Sequence, residues 1–266
     1  MRFNVITLFP NLIESVLDAN GGVVGQAVSR GDVTIHTVNP RAFTSDLHKT
    51  VDDRPFGGGD GMVMLYEPLA CALRSLGGDV GHCVYLTPHG KKWSDQKARN
   101  WAKTKKIVTL VCGRYAGVDQ RFINDFIDEE ISIGDFILSG GELGALVLID
   151  STSRFLANVL GNSQSAEAES FADELLEAPL FTRPRDLTEK KSVPGIFLGG
   201  DHAKIQAARR LLSLLITLQK RPDLISDLHK LEIRKSISAV DDFSPGELHA
   251  CGLDPHFLKE LNARLK

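Results

Sequence analysis

The chain has 266 residues, enough for one large domain or two ordinary ones, and two are expected. Hydrophobic residues at 42% and charged residues at 24% are ordinary for a folded soluble protein and argue against a disordered or membrane-embedded class. A formal net charge of -3 excludes a uniformly basic nucleic-acid binder, but not local basic patches, which are what steer a polyanion to one face.

Cys71, Cys83, Cys112 and Cys251 are scattered without a close pair, so neither a zinc motif nor a disulfide framework is indicated and a reducing compartment fits. The N-terminal MRFNVITLFPNLIESVLDANGG is broken by Pro10, Asn11 and Glu14 before a signal-type apolar core forms. No apolar run approaches the roughly eighteen residues that span a bilayer. A cytoplasmic protein without a membrane segment is expected.

Arg2 to Phe9 alternates as a first strand, Asn11 to Asp18 reads as a helix, and Val33 to Val38 as a second strand ending at Asn39-Pro40. Thr44 to Met62, TSDLHKTVDDRPFGGGDGM, is too rich in glycine and polar residues for either element and reads as a mobile or ligand-shaped loop. Glu67 to Leu76 follows as a helix, His82 to Leu86 as a strand, Ser94 to Thr104 as a helix, Ile107 to Cys112 as a strand and Val118 to Phe126 as a helix. Repeated strand-then-helix units predict an α/β fold with a mainly parallel sheet, helices on both faces and ligands at the carboxyl ends of the strands.

Asp128 to Gly144, DEEISIGDFILSGGELG, joins a carboxylate run to strand-like Ile131, Ile133, Phe136 and Leu138, interrupted at Gly134-Asp135. Ser139, Gly140 and Gly141 then let backbone approach a ligand before an apolar helix over Glu142 to Leu160. The stretch fits the floor of a cofactor pocket; it equally fits a buried strand, a tight turn and a core helix without a ligand. Beyond a polar linker at Gly161 to Ser170, GNSQSAEAES, helices follow without strands. His202 to Lys220 carries Ile205, Ala208, Leu212, Leu215 and Ile216 on one face, with Arg210 and Arg221 away from it. Ser244-Pro245-Gly246-Glu247 has capping-box spacing, and Asp254-Pro255 starts the last helix. The expected division is an α/β domain over 1–160, a flexible linker over 161–173 and a small helical domain over 174–266.

Three features bear on chemistry. His89 to Lys106 holds seven lysines and arginines against Asp95, and Lys204 to Arg221 five basic residues with no acid, patterns that suit phosphates or a solvated helix face. Neither G-x-G-x-x-G between strand and helix nor G-x-x-x-x-G-K-[ST] occurs; LTPHG, VCGRYAG and SIGDFILSGG instead offer backbone polar groups beside small apolar surfaces, which suits an adenosine-sized ligand without charged phosphates. Arg154, the acids Glu167, Glu169 and Asp173, and Asp52-Asp53-Arg54 form a possible acid–base set, since arginine beside carboxylate keeps the acid ionised and can stabilise developing oxyanion charge.

ITLFP, NPRAFT, HKTVDDRPFGGGDGM, YLTPHG, LVCGRYAGVDQR, DEEISIGDFILSGGEL, IDSTSRF, SFAD, FTRP and VPGIFLGG follow one another along the chain. In that order and near that spacing they resemble the bacterial tRNA (guanine-N1)-methyltransferases that modify the guanosine 3′ to the anticodon (position 37), members of the SPOUT class of knotted methyltransferases. The resemblance implies a deep trefoil knot and S-adenosylmethionine held bent within it. The implied donor pocket is Tyr85, Leu86, Thr87 and Pro88 from one loop, Gly113 from a second, and Ser132, Ile133, Gly134, Phe136, Leu138, Gly140 and Gly141 from a third. It also implies Glu169 as general base at guanine N1, Arg154 as stabiliser of O6, and substrate contacts from Asp52, Arg54, Gly59, Tyr115, Ser165 and Arg210. A homodimer with active sites at the subunit interface, tRNA gripped by the helical domain and a magnesium requirement complete the expectation.

The sequence departs from the family pattern in three places. Glu169 stands where the pattern has aspartate, Ala116 replaces the glutamate of GRYEG, and Asp60 replaces the proline of GGGPGM. Two other readings follow from the same residues: a SPOUT methyltransferase for another RNA position, and a catalytically weakened tRNA-binding protein.

Overall fold

The structure, a computed structural model, describes residues 1–18, 22–160, 169–187 and 192–265. They fall into two compact units, Met1–Ala166 and Glu167–Lys266.

The first unit opens with β1 (Arg2–Ile6), α1 (Pro10–Val16), α2 (Gly22–Arg30) and β2 (Thr34–Val38). The two-residue strands β3 (Asp52–Asp53) and β4 (Val63–Met64) follow, then α3 (Tyr66–Arg74), β5 (His82–Lys92), α4 (Asp95–Thr104), β6 (Ile107–Cys112), α5 (Gln120–Phe126), β7 (Glu129–Ser132) and α6 (Glu142–Ser153). Five strands form one sheet in the order β2-β1-β6-β5-β7, every neighbouring pair parallel, while β3 and β4 make a separate antiparallel pair. Parallel strands are covered on both faces and read as near-continuous apolar runs. Accordingly Phe3, Val5 and Ile6 of β1, and Val108, Leu110 and Val111 of β6, are fully buried. One face packs Ile13, Val24, Trp101 and Leu148 from α1, α2, α4 and α6; the other packs Leu69, Leu73 and Phe122 from α3 and α5. This is the expected α/β sheet with helices on both faces.

Four local expectations are corrected. Thr87 to Gly90 is not a loop beyond a strand: β5 continues to Lys92, and both Leu86 and Lys91 pair with Ile131 of β7, so the four residues between them bulge out of register. The proline and glycine there mark an excursion, not an end. Strand β7 stops at Ser132, leaving Ile133 to Ser139 irregular. Helix α6 ends at Ser153 with Arg154 as its C-cap; Phe155 and Leu156 turn back onto Thr152 and Ser153 through backbone hydrogen bonds, and Val159 remains buried without helical structure. Helix α2 was not anticipated; its Gly22 and Gly25 obscure an apolar face of Val24 and Ala27.

The second unit is built from α7 (His202–Lys220), α8 (Asp227–Ser236), α9 (Pro245–Ala250) and α10 (Pro255–Leu265). Asp201 caps α7 by accepting from the Lys204 N–H, and Ser244 with Glu247 forms the expected capping box of α9. Leu211, Leu212 and Leu215 of α7 pack with Ile233, Leu248 and Leu258 from the other three helices. Residues 169–173, read from sequence as linker, are bends and turns here, with the Phe171 N–H donating to the Leu175 carbonyl. The rest of that linker, 161–168, lies outside the described residues, and so does the expectation that it is flexible.

Candidate active site

Three segments from adjacent strands meet: the Thr87–Gly90 excursion within β5, Gly113 to Val118 after β6, and Ile133 to Gly141 between β7 and α6. Together they enclose a cavity of about 390 Å3, the size of a small-ligand site. Tyr85, Leu86, Thr87, Pro88, Gly113, Ser132, Ile133, Gly134, Phe136, Leu138, Gly140 and Gly141 all lie on its wall, with Tyr115 among them. Close approach leaves no room for a Cβ at any of the four glycines. A Cβ on Gly113 would lie 2.8 Å from the Tyr85 ring, and one on Gly140 would collide with the Arg114 guanidinium. Burial, reinforced by the Glu130 charge, raises the Tyr85 hydroxyl above its ordinary pKa, so the ring presents a neutral edge to the cavity.

One wall is held by a buried ion pair. Glu142, the first residue of α6, is only 2% exposed. Its carboxylate lies 2.9 Å from Arg114 Nη2 and accepts at 3.3 Å from Arg114 Nε. It also accepts from Thr7 Oγ1 at 2.7 Å, beyond the end of β1. Arg114 donates through Nη1 to the Ser139 carbonyl at 3.1 Å and stacks its guanidinium 4.2 Å above the Phe9 ring. The Gly141 N–H donates to the Gly113 carbonyl. A carboxylate at a helix N-terminus also meets the positive end of the helix dipole. The segments after β6 and before α6 are thus fastened to each other and to the end of β1 beside the cavity.

The remaining sequence-derived residues lie elsewhere. Asp52 is in β3 and Arg54 just after it; the Asp53 carboxylate accepts from the Arg54 backbone N–H at 2.7 Å, a contact to backbone and not to the guanidinium. Gly59 sits in the loop joining β3 and β4 at φ +118. Arg154 caps α6 in the first unit, and Glu169 begins the described part of the second, its carbonyl accepting from the Ala172 N–H. Arg210 of α7 is engaged inside the second unit by Glu232, at 2.8 and 2.9 Å, and by Asp173 at 2.9 Å. Ser165 lies outside the described residues. The basic run from His89 to Lys106 is partly neutralised: Lys92 pairs with Asp135, Lys97 with Glu129 and Arg99 with Asp95. Among the described residues no group of three His, Cys, Asp or Glu side chains is placed to hold a metal, so no residue is assigned to magnesium.

The family model for tRNA (Guanine-1)-methyltransferase TrmD matches residues 1–227, spanning every wall of the cavity as well as Arg154 and Glu169. The chain belongs to this family. A tRNA (guanine-N(1)-)-methyltransferase of Shewanella amazonensis is 47% identical to it over 231 residues, covering 86% of this chain and 91% of the relative. A protein of the same name from Pseudoalteromonas translucida is 44% identical over 251 residues, covering 93% and 96%.

In this member of the TrmD family, sequence reasoning missed Arg114, Glu142 and Thr7 as a unit. Arg114 lies inside GRYAG and Glu142 directly after the double glycine, so an acid opening a helix beyond Gly-Gly was the available signal. Nothing in the spacing pairs residues 28 positions apart.

Proposed function

We propose that this chain transfers a methyl group from S-adenosylmethionine to N1 of the guanosine 3′ to the anticodon of tRNA. Family membership over the cavity and both candidate catalytic residues carries the reading. The cavity fits the donor: it has the volume for an adenosine-sized ligand, glycines that admit it and no phosphate-binding loop. S-adenosylmethionine, when bound, supplies an electrophilic methyl on a sulfonium and leaves as a neutral thioether. Guanine N1 is not nucleophilic while it carries its proton. The Glu169 carboxylate takes that proton as the new N1–carbon bond forms, and the Arg154 guanidinium meets the negative charge developing on O6. Glutamate in place of aspartate lengthens the base by one methylene.

The reading includes a cytoplasmic homodimer with each active site at the subunit interface, a knotted first unit and a second unit that grips tRNA. A self-associating face is supported by Phe9 at the N-cap of α1, Leu12 and Val16 along it and Leu143 and Val147 along α6, all exposed at helical spacing on helices that contact each other. No described helix is long and apolar enough to cross a membrane.

The test is incubation with S-adenosylmethionine and a tRNA transcript, followed by primer extension. A stop at the guanosine after the anticodon, abolished when that base is adenosine, is the expected result. Glu169→Gln should lower the single-turnover rate by roughly 10²–10⁴ while leaving donor affinity unchanged. An unchanged rate removes Glu169 as the base. Binding of tRNA without methylation of any base overturns the enzymatic reading in favour of a binding protein.

A further inference from the structure

The loop between β3 and β4 carries an aromatic side chain that the fold does not use. Phe56 is 101% exposed, with no part of its ring covered by the protein. Pro55 precedes it, and Gly57, Gly58 and Gly59 follow at φ +87, +80 and +118, with no atom within 4 Å of where their Cβ atoms would stand. The tip is therefore open on all sides, yet its base is fixed. Val51 and Met64 are buried, the Leu65 N–H donates to the Val51 carbonyl at 2.8 Å, and Asp52 and Asp53 pair with Met64 and Val63. The same base is fastened to the cavity loop: Ala116 N–H donates to the Met62 carbonyl at 2.8 Å and Met64 N–H to the Gly117 carbonyl at 2.9 Å. An exposed ring thus stands on a stem anchored to the cavity wall.

The wall that anchors its stem points to the class of ligand. Tyr115, half-exposed at φ +59 on that wall, takes a hydrogen bond at its hydroxyl from Arg41, whose other nitrogen donates to the Lys49 carbonyl. Arg41 is held by neutral acceptors, so its charge remains available to a polyanion. The hairpin itself sets the single Arg54 against Asp52, Asp53 and Asp60, an acidic excess that makes the tip a poor phosphate site and leaves the ring face as what it offers. Aromatic faces beside cations are how proteins hold unstacked bases of single-stranded RNA.

Resting on the proposed tRNA substrate, we infer that Phe56 is a stacking platform for an unpaired nucleobase flanking the methylated guanosine. It binds substrate and takes no part in proton or methyl transfer.

The test uses the full chain with a tRNA transcript and with anticodon stem–loop RNAs carrying 5-iodouridine at each nucleotide flanking the target guanosine. Irradiation should crosslink one flanking position to Phe56, located by mass spectrometry of the peptide. Phe56→Ala should raise the KM for tRNA by about 10- to 100-fold, with donor affinity by calorimetry unchanged, while Phe56→Tyr and Phe56→Trp stay within about threefold of the native KM, as stacking allows. An unchanged KM in Phe56→Ala overturns the inference, as does a crosslink confined to other residues. Loss of donor binding or of self-association in that variant also overturns it, since Phe56 would then be supporting the fold or a subunit contact. Crosslinking does not require turnover. A crosslink at Phe56 in a chain that methylates no tRNA sustains the inference and sinks the proposed activity; methylation indifferent to Phe56→Ala does the reverse.

Discussion

Arg114 and Arg210 each grip one carboxylate with two guanidinium nitrogens, Arg114 with Glu142 and Arg210 with Glu232. The chemistry is the same and the setting is not. The Glu142 side chain is 2% exposed, whereas those of Arg210 and Glu232 are 37% and 38% exposed. A buried carboxylate that loses its partner is stranded in low dielectric; an exposed one is rehydrated. The first unit has thus placed an unforgiving contact at the seam of its cavity, and the second unit a replaceable one on its surface.

The largest effect is expected at Glu142. Arg114→Met leaves the 2% exposed Glu142 carboxylate without its counter-charge, which costs about 3–5 kcal/mol and should lower the thermal midpoint by on the order of 10 °C, read by calorimetry. A shift below about 2 °C would erase the distinction between the two sites. Glu129 offers an intermediate case. Burial opposes its ionisation, but hydrogen bonds from Lys97 and His82 outweigh this and hold the carboxyl below its ordinary value of 4.5. A depressed folded pKa contributes stability that is fully present above the unfolded value and disappears as pH falls through the folded one. Glu129→Gln should therefore cost about 1–2 kcal/mol at pH 7, discounted for partial exposure, and in denaturant titrations the gap should begin to close only as pH falls below that ordinary value and should vanish below the depressed folded value. A gap that persists there shows that packing, not charge, held Glu129 in place. Arg210→Met should be mildest, within about 1 kcal/mol by the same titration; a larger loss would make the second unit's pair as consequential as the first's.

How far the sequence revealed these features depended on the distance over which they act. Helix α7 matched its expected bounds because a 3.6-residue apolar repeat and an aspartate cap are both local signals. The parallel sheet followed from alternating strands and helices. The cavity-lining residues were reached through resemblance and glycine chemistry, and the fold gathers them around one cavity. The β5 excursion was misread because Pro88 and Gly90 look the same whether a strand ends or bulges, and the pairing that decides between them comes from β7. The Arg114–Glu142 clamp was invisible for a like reason: neither residue has a local partner, and only the folded sheet brings Thr7 to them.

That excursion also has a kinetic side. Four residues leave β5 and return to the same partner strand, with Gly90 so close to the Ile131 backbone that a Cβ could not be accommodated. Both ends of the cavity wall are therefore pinned only a few residues apart, and little loop entropy remains to be lost when a ligand enters. For this wall, capture is limited by arrival and not by folding of the segment. Its amides should open to solvent exchange together with the β5–β7 ladder that anchors them.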